Sequence, residues 1–227
     1  MYKKDNDAVF YRQIRRNHIT NGGHTMNIPF WEDSYKEDSV STFGIHPNAT
    51  IDEFQHLFNK SWSVLDVGCG DGKNALYLSG LGYTNVEAFD LSENAIARLN
   101  RLAVSKNLQV SAWAQDLTKF TFDKCYDLIM SFGTLHFVEK DHWKNFLLNA
   151  KENTNEHGIH IIQLFTNVLP ASPDIAPFAV GLAEDEEIKA LYADWNILQF
   201  KSYTFEDEHP GVPRHYHASN KIVAQKI

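Results

Sequence analysis

A glycine-rich turn that reads DVGCGDG over residues 66–72 is the feature that most constrains how this chain folds. The turn directly follows an apolar run at 62–67 and directly precedes a helical pattern that begins near Lys73. Glycine leaves backbone amides open to a ligand, and the amides at a helix N-terminus attract negative charge. A strand, a glycine turn and a helix in this order therefore predict a cofactor-binding unit.

Short apolar runs alternate with helical patterns along the rest of the chain, which indicates a parallel sheet covered by helices on both faces. We expect strands near 62–67, 86–90, 108–113, 126–130 and 159–165, with helices near 73–80, 92–105, 141–151 and 184–193. Strands near 195–203 and 215–225 are expected to close the sheet as an antiparallel edge hairpin. The predicted fold is thus α/β and Rossmann-like, with a mostly parallel, seven-stranded sheet.

Composition and length predict a single domain. The chain has 227 residues, of which 43% are hydrophobic, and these suffice for one sizeable core. Residues 1–25 are polar and basic and end near an Asn21-Gly22-Gly23 breaker, so we expect a loosely attached extension there and one domain over 26–227.

Charge and cysteine usage exclude several classes of partner. A formal net charge of -8 and a pI of about 5.7 disfavour nucleic acid as a partner. The two cysteines, Cys69 and Cys125, are too few for a disulfide framework and fit a reducing compartment. We find neither a run of about 20 apolar residues nor an apolar signal core, so we expect no membrane contact and a cytoplasmic location.

The spacing of the glycine turn separates the common cofactor motifs. A dinucleotide fingerprint needs glycine at 73, where Lys73 stands. A phosphate-binding P-loop needs glycine at 67 and a hydroxyl residue at 74, where the chain has Val67 and Asn74. The remaining pattern is DxGxGxG.

With this pattern, and with acids at Asp90 and Asp116 after the next two strands, residues 26–227 resemble the class I methyltransferases. The resemblance implies S-adenosylmethionine as cofactor, S-adenosylhomocysteine as product and a small-molecule acceptor. Asp66 would order the turn near the amino group of the cofactor, Asp90 would bind both ribose hydroxyls and Asp116 the adenine amino group. By this resemblance the cofactor-binding residues are Trp31, Tyr35, Asp66, Gly68, Cys69, Gly70, Asn74, Asp90, Leu91, Asp116, Leu117, Ser131 and Phe132.

An upstream segment, PFWEDSY at 29–35 followed by FGIHPN at 43–48, is similar to the tellurite-resistance methyltransferases. In that group the segment folds over the cofactor as a lid, here expected over 29–50. Aromatic rings suit this position because a sulfonium cation is attracted to ring faces. Trp31 and Tyr35 are the lid candidates, and the alternative for both is core packing of a short amphipathic helix.

A late stretch that ends in Glu208 and His209 also resembles that group, in which a His-Arg pair and a further arginine handle an oxyanion. This chain departs from the pattern because Pro210 follows His209. We expect His209, Arg214 and His136 to contact the substrate. His215 and His217 share one strand face, and they are expected either to line a pocket together with His209 or to form a solvated edge face. Two such histidines can share a metal ion, but no third ligand is evident, and the sequence assigns no metal site.

The predicted reaction is methyl transfer to a small molecule, such as a tellurite-like or selenite-like oxyanion or a thiol, by a monomer or homodimer. Two alternatives stay open. One is a dinucleotide-dependent oxidoreductase, and the other is a non-catalytic module that binds S-adenosylmethionine.

Overall fold

The computed structural model describes residues 19–21, 24–26, 28–36, 43–209 and 212–227. The first two segments form an antiparallel pair, β1 (Ile19–Asn21) and β2 (His24–Met26). The rest of the predicted extension at 1–25 lies outside the described residues.

A seven-stranded sheet is the centre of the fold. Its strands are β3 (Ser63–Val67), β4 (Asn85–Asp90), β5 (Ser111–Ala114), β6 (Tyr126–Phe132), β7 (Thr154–Phe165), β8 (Asn196–His209) and β9 (Val212–Gln225). The strand order is β5-β4-β3-β6-β7-β9-β8, in which the first five strands run parallel and β9 runs antiparallel to both β7 and β8. The predicted seven-stranded, mostly parallel sheet with an antiparallel edge hairpin is confirmed.

Six described α-helices flank or cover the sheet. They are α1 (Trp31–Ser34), α2 (Ala49–Phe54), α3 (Lys73–Gly80), α4 (Glu93–Ser105), α5 (Lys140–Glu152) and α6 (Glu187–Leu191), with 3-10 turns at Gln55–Leu57, Leu117–Lys119 and Leu135–Phe137. The predicted cap of α4 is present, since the Ser92 side chain accepts a hydrogen bond from the Ala95 amide at 3.1 Å. None of these helices has the length and apolar character needed to cross a membrane.

The hydrophobic core lies in two layers, one on each face of the sheet. Side chains alternate between the faces along a strand, so Leu65 packs in one layer and its neighbour Val64 in the other. The first layer meets α5 through Trp143, which is fully buried and donates its indole hydrogen to the Gly181 carbonyl at 2.9 Å. The second layer meets α3 and α4, for example through Leu99. Helices thus cover both faces, as the sequence predicts.

Element boundaries differ from the predictions where tertiary contacts decide them. The acidic helix predicted over 184–193 is reduced to α6, because Asp185 accepts hydrogen bonds from Ser202 and Asn220 at 2.6 and 2.8 Å. Asp185 thus binds the edge hairpin, and the helix begins only at Glu187. β8 and β9 are also longer than predicted and continue to His209 and from Val212.

Candidate functional site

The glycine turn lies at the carboxyl end of β3, between the neighbouring strands β4 and β6, where parallel α/β sheets bind their ligands. Gly68 and Gly70 have φ angles of +64° and +55°, which side-chain-bearing residues rarely adopt. A Cβ atom on Gly68 would lie 2.1 Å from Cγ2 of Thr134, and one on Gly70 would lie 2.9 Å from the Tyr35 hydroxyl. Both positions therefore require glycine.

A cavity of about 1080 Å³ opens above the turn. The predicted residues that line it are Trp31, Tyr35, Asp66, Gly68, Cys69, Gly70, Asn74, Asp90, Leu91, Asp116, Leu117 and Phe132. Four other predicted site residues, Ser131, His136, His209 and Arg214, are not part of the described lining. The structure thus gathers most of the predicted cofactor residues around one space, and two of the predicted substrate contacts, His136 and Arg214, are not in its described lining.

Asp66 is a buried carboxyl group at the centre of this site. Its Oδ2 atom has no hydrogen-bond partner among the described residues. Burial raises the pKa of Asp66 to about 7, an effect that the negative charge of Asp90 strengthens and a hydrogen bond from the Ala75 amide opposes. An unpaired carboxyl oxygen that borders a cavity is suited to pair with a positively charged group of a ligand.

Asp90 connects the glycine turn to the start of α4. Its Oδ2 accepts from the Gly70 amide at 2.8 Å, and its Oδ1 accepts from the Ser92 amide at 2.9 Å. Burial raises the pKa of Asp90, and these backbone hydrogen bonds act in the opposite direction. Because a carboxylate has about four acceptor positions, Asp90 can fix the turn and still accept from a ligand hydroxyl.

Asp116 follows β5 and lines the same cavity as Leu117. Its Oδ1 accepts from the Thr118 amide at 2.9 Å and from the Thr118 hydroxyl at 2.7 Å. The hydrogen bonds from Thr118 lower the pKa of Asp116, with a further contribution from Lys119, so this carboxylate stays ionised near neutral pH.

An aromatic cluster lines the cavity, and part of it comes from the segment expected to form a lid. The ring of Trp31 lies 5.0 Å from that of Phe137, 5.8 Å from Phe178 and 6.1 Å from Phe43, between ring centroids. Tyr35 is buried, and burial together with Asp90 and Asp71 raises its pKa well above the usual value, so its hydroxyl keeps its proton. The sequence did not identify Phe137 and Phe178, because they come from segments far from the lid.

Glu32, in the same segment as Trp31 and Tyr35, also lines the cavity and was not predicted as a site residue. Its Oε1 atom accepts from the Ser92 hydroxyl at 2.9 Å and from the Asn94 amide group at 2.7 Å. Arg98 adds a hydrogen bond to the Ser34 carbonyl at 2.9 Å, so α1 is held against the N-terminal half of α4. An acid next to an N-cap serine is a weak sequence signal, since such residues are common on surfaces.

Ser131 and His136 lie behind the cavity wall. Ser131 is fully buried and donates to the Val67 carbonyl at 3.0 Å. His136 is also fully buried and stacks on Phe165 with ring centroids 4.2 Å apart. Burial, and to a lesser extent His217, lowers the pKa of His136 to about 3, so the ring is neutral. Both residues therefore support the wall from inside the core.

The edge hairpin brings His217 to the cavity, and Arg214 on the same hairpin is not in the described lining. His217 lines the cavity together with Asp207, and the Nε2 atoms of His215 and His217 are 3.0 Å apart. Arg214 is exposed and lies 3.4 Å from a carboxylate oxygen of Glu206. His209 ends β8, and its side chain lies outside the described part of the chain.

Comparison with protein families gives a match to the family described as tellurite resistance protein TehB, over residues 33–209. A curated relative from Haemophilus influenzae, named as a probable S-adenosyl-L-methionine-dependent methyltransferase TehB, is 37% identical over 139 residues, which are 60% of this chain and 47% of that protein. The chain thus spans about half the length of the curated relatives it matches.

Solved structures with a similar fold are consistent with this match. The crystal structure of TehB from Haemophilus influenzae has a TM-score of 0.68 and 28% identity, and the match covers 87% of this chain and 66% of that chain. A magnesium protoporphyrin IX methyltransferase from Synechocystis, solved with bound SAH, has a TM-score of 0.56 at 15% identity, over 97% of this chain and 94% of that one. The second similarity is one of fold alone, and the fold is that of the class I methyltransferases.

Proposed function

The chain belongs to the tellurite resistance protein TehB family, and on this premise we propose that it transfers a methyl group from S-adenosylmethionine to a small-molecule acceptor. The observation that carries the proposal is the set of three carboxylates, Asp66, Asp90 and Asp116, around the cavity above the glycine turn. Asp66 is the penultimate residue of β3, Asp90 ends β4 and Asp116 follows β5. Because these strands are neighbours in the sheet, the order of the three carboxylates along the chain becomes an order along the cavity.

The residues present fit this cofactor on physical grounds. The unpaired Oδ2 of Asp66 matches the ammonium of the amino-acid part, since a buried carboxyl oxygen without a partner is costly. The left-handed glycines bring backbone amides close to the ligand without side chains in the way. Asp90 retains acceptor capacity for ribose hydroxyls, and Asp116 with Leu117 borders the place expected for adenine.

The lid residues would exclude water and would favour S-adenosylmethionine, whose sulfonium carries a positive charge, over the neutral thioether of the product. Trp31, Phe137 and Phe178 present a group of aromatic rings to the cavity, and ring faces attract a sulfonium cation. Glu32 holds this segment against α4 through two hydrogen bonds. We therefore also propose that residues 29–50 form the lid of a single methyltransferase domain over 26–227.

In the proposed reaction the cofactor supplies an electrophilic methyl carbon and leaves as S-adenosylhomocysteine. The protein positions the acceptor, closes the cavity with the aromatic lid and keeps Asp66 and Asp90 paired with the ligand. Positioning and exclusion of water are sufficient for an acceptor that already carries a lone pair, so no dedicated base is required. An oxyanion or a thiolate is such an acceptor, and the TehB relatives support the oxyanion.

The net charge of -8 disfavours binding of nucleic acid, and the partly aromatic lining of the cavity is suited to a small acceptor. Cys69 and Cys125 are free thiols, which supports a reducing compartment such as the cytoplasm.

The test combines binding with turnover. Calorimetry should give one S-adenosylmethionine site per chain, and a release assay for S-adenosylhomocysteine should then identify the acceptor among tellurite, selenite, thiols, amines and carboxylates. Asp90→Ala is expected to weaken cofactor binding by about 2 kcal/mol, because it removes a two-point hydroxyl contact and a support of the turn. Asp141→Ala, at an exposed position on α5, is the matched control.

The possible outcomes separate the alternatives. Cofactor binding without turnover of any acceptor would favour the non-catalytic binding module. Saturable binding of a nicotinamide dinucleotide, with no binding of S-adenosylmethionine, would overturn the proposal in favour of the oxidoreductase. Equal cofactor affinities for Asp90→Ala and Asp141→Ala would show that the cofactor binds somewhere other than the predicted site.

A further inference from the structure

Three side chains with metal-binding chemistry share one face of the edge hairpin. In the register of β8 and β9, Asp207 lies opposite His215, and Phe205 lies opposite His217. Residues directly opposite in an antiparallel pair point to the same side of the sheet, and so do residues two apart on one strand. Asp207, His215 and His217 are therefore brought together by the strand pairing itself.

The distances within this group are short. The Nε2 atoms of His215 and His217 are 3.0 Å apart, and the Nε2 of His217 lies 3.9 Å from a carboxylate oxygen of Asp207. One ligand atom from each of the three residues lies within 4.8 Å of the other two. Ligand atoms around a tetrahedral zinc ion are about 3.3 Å apart, given metal-ligand bonds of about 2.0 Å. The His215–His217 and His217–Asp207 separations are thus within about 0.6 Å of this value, and the widest separation in the group, at most 4.8 Å, would shorten by up to about 1.5 Å on binding.

A fourth residue, Asp174, approaches from the loop that follows β7. Its Oδ2 lies 3.7 Å from the Nε2 of His215, and its side chain is only 4% exposed. Neither carboxylate oxygen of Asp174 has a hydrogen-bond partner among the described residues. A buried carboxylate without hydrogen bonds is strongly unfavourable unless a cation compensates it. This is an independent sign that a positive ion belongs here.

His215 is held in the tautomer that a metal ligand needs. Its Nδ1 atom lies 2.7 Å from the Pro213 carbonyl oxygen, which can only accept a hydrogen bond. Nδ1 therefore carries the hydrogen, and the Nε2 lone pair points towards His217 and Asp174. A backbone carbonyl that orients the far nitrogen of an imidazole is the usual second partner of a metal-binding histidine.

We propose that Asp174, Asp207, His215 and His217 bind one divalent transition-metal ion, for which Zn2+ is the best match. Two imidazoles and two carboxylates suit zinc, whereas magnesium and calcium prefer ligand sets made of oxygen. Asp207, His215 and His217 form the compact group, and Asp174, 3.7 Å from His215, would complete a tetrahedral coordination sphere by moving towards the ion, so the ion has a structural role. It joins the loop around Asp174 to the edge hairpin.

This junction has a consequence for the cavity. Ile175, next to Asp174, lines the cavity, as do Asp207 and His217. The ion would therefore fix the wall that faces the glycine turn from the hairpin side. Metal binding itself does not depend on the proposed methyl transfer, and the two can be tested separately.

The experiment uses the full chain without a histidine tag, dialysed against a chelator and then titrated with Zn2+ by calorimetry, with elemental analysis for stoichiometry. We expect one Zn2+ per chain, an increase in the unfolding temperature on zinc addition, and no such increase with Mg2+ or Ca2+. His217→Ala and Asp174→Asn should each weaken zinc binding by about 100-fold or more. His142→Ala and Asp141→Asn, both at exposed positions on α5, are the matched controls and should bind zinc like the parent chain.

Asp174→Asn also separates metal binding from an ordinary structural role. It keeps the shape of the side chain and replaces one of the two buried oxygens that have no hydrogen-bond partner among the described residues, so the metal-free variant should unfold at the same temperature as the parent or higher, and should lose only the zinc-dependent increase. A lower unfolding temperature without metal would assign Asp174 to the fold alone and overturn the proposal. Zinc binding by the His215→Ala/His217→Ala double variant with the affinity of the parent chain would do the same. S-adenosylmethionine binding is measured alongside, so failure of the metal site is distinguishable from failure of the proposed function.

Discussion

Two walls of the same cavity are built in different ways. The turn wall consists of the lining residues within 66–74, from the end of β3 to the start of α3, together with Asp90 and Asp116 at the carboxyl ends of the next two strands. The hairpin wall consists of Ile175, Phe178, Asp207 and His217, from a loop and two antiparallel strands. The turn wall is fixed by backbone conformation within short segments, whereas the hairpin wall depends on contacts between segments that lie far apart in the chain. Substitutions should therefore affect the two walls through different physical effects.

The largest expected effect is at Gly68 in the turn wall. Gly68→Ala places a Cβ atom 2.1 Å from Thr134 at a φ of +64°, so backbone strain and a steric clash act together. We expect a loss of stability of about 3 kcal/mol, as the sum of about 1–2 kcal/mol of strain and about 1–3 kcal/mol of overpacking, accompanied by loss of cofactor binding. Urea unfolding measures the loss of stability, and calorimetry measures the loss of cofactor binding.

Gly44→Ala is the matched control for this prediction. Gly44 has a similar φ of +74°, but a Cβ atom there would meet nothing within 4 Å. It should lose only the strain contribution of about 1–2 kcal/mol. Equal losses at the two glycines would show that the close approach to Thr134 is not what determines the turn wall.

The second prediction concerns His136, which supports the hairpin wall. Burial lowers its pKa to about 3 in the folded protein, against about 6.5 in the unfolded chain. Between these values only the unfolded chain binds the proton, so stability falls as the pH decreases below 6.5. Through His136, the unfolding free energy of the parent chain should decrease by about 1.4 kcal/mol per pH unit in this range, or by about 2 kcal/mol between pH 7.5 and pH 5. His136→Asn should abolish this contribution.

Urea unfolding at pH 7.5 and pH 5 tests the prediction, with His142→Asn at an exposed position as control. The quantity compared is the change in unfolding free energy between the two pH values, so that any loss common to both cancels. If His136→Asn leaves that change as large as in the parent chain, His136 is protonated in the folded state and has access to the cavity.

The third prediction uses the raised pKa of Asp66. Burial raises this pKa to about 7, and the carboxyl must lose its proton to pair with the ammonium of the cofactor. Cofactor affinity should therefore increase by about tenfold between pH 6 and pH 7.5. Calorimetry in two buffers of different ionisation enthalpy should detect the released proton. Asp66→Asn should bind more weakly but with an affinity that is nearly independent of pH, and a steep pH dependence in that variant would point to another group.

The same contrast explains what could be predicted from the sequence. The strand and helix pattern from 62 to 105 is local, so the glycine turn and the Ser92 cap were predicted at their observed positions. Asp90 was placed at the cavity because it ends a strand next to β3. The role of Asp174 was not predictable, because its partners in the hairpin are about forty residues away and a loop aspartate gives no pattern.

A residue that is adjacent in the chain to a cavity-lining residue can direct its side chain away from the cavity. Ser131 lies on β6 beside the cavity-lining Phe132, and the alternation of side chains along a strand directs it into the core. Its hydroxyl donates a hydrogen bond to the Val67 carbonyl. The resemblance alone does not distinguish these two faces, because the exact register of a strand end depends on its neighbours.

The smallest expected effect is at Arg214, which the sequence assigned to substrate contact. Its side chain is 65% exposed, lies near Glu206 and Glu208, and is not part of the described cavity lining. Exposed ion pairs contribute about 0–1 kcal/mol, so Arg214→Ala should change stability by a few tenths of a kcal/mol. The KM for the acceptor found in the release assay should change by less than about twofold, since a group outside the cavity does not contribute differential binding. Arg214→Lys serves as the charge-retaining control. A large increase in KM for Arg214→Ala, reversed by Arg214→Lys, would show that the tip of the hairpin folds over the cavity when the acceptor binds, and the hairpin wall would then extend to Arg214.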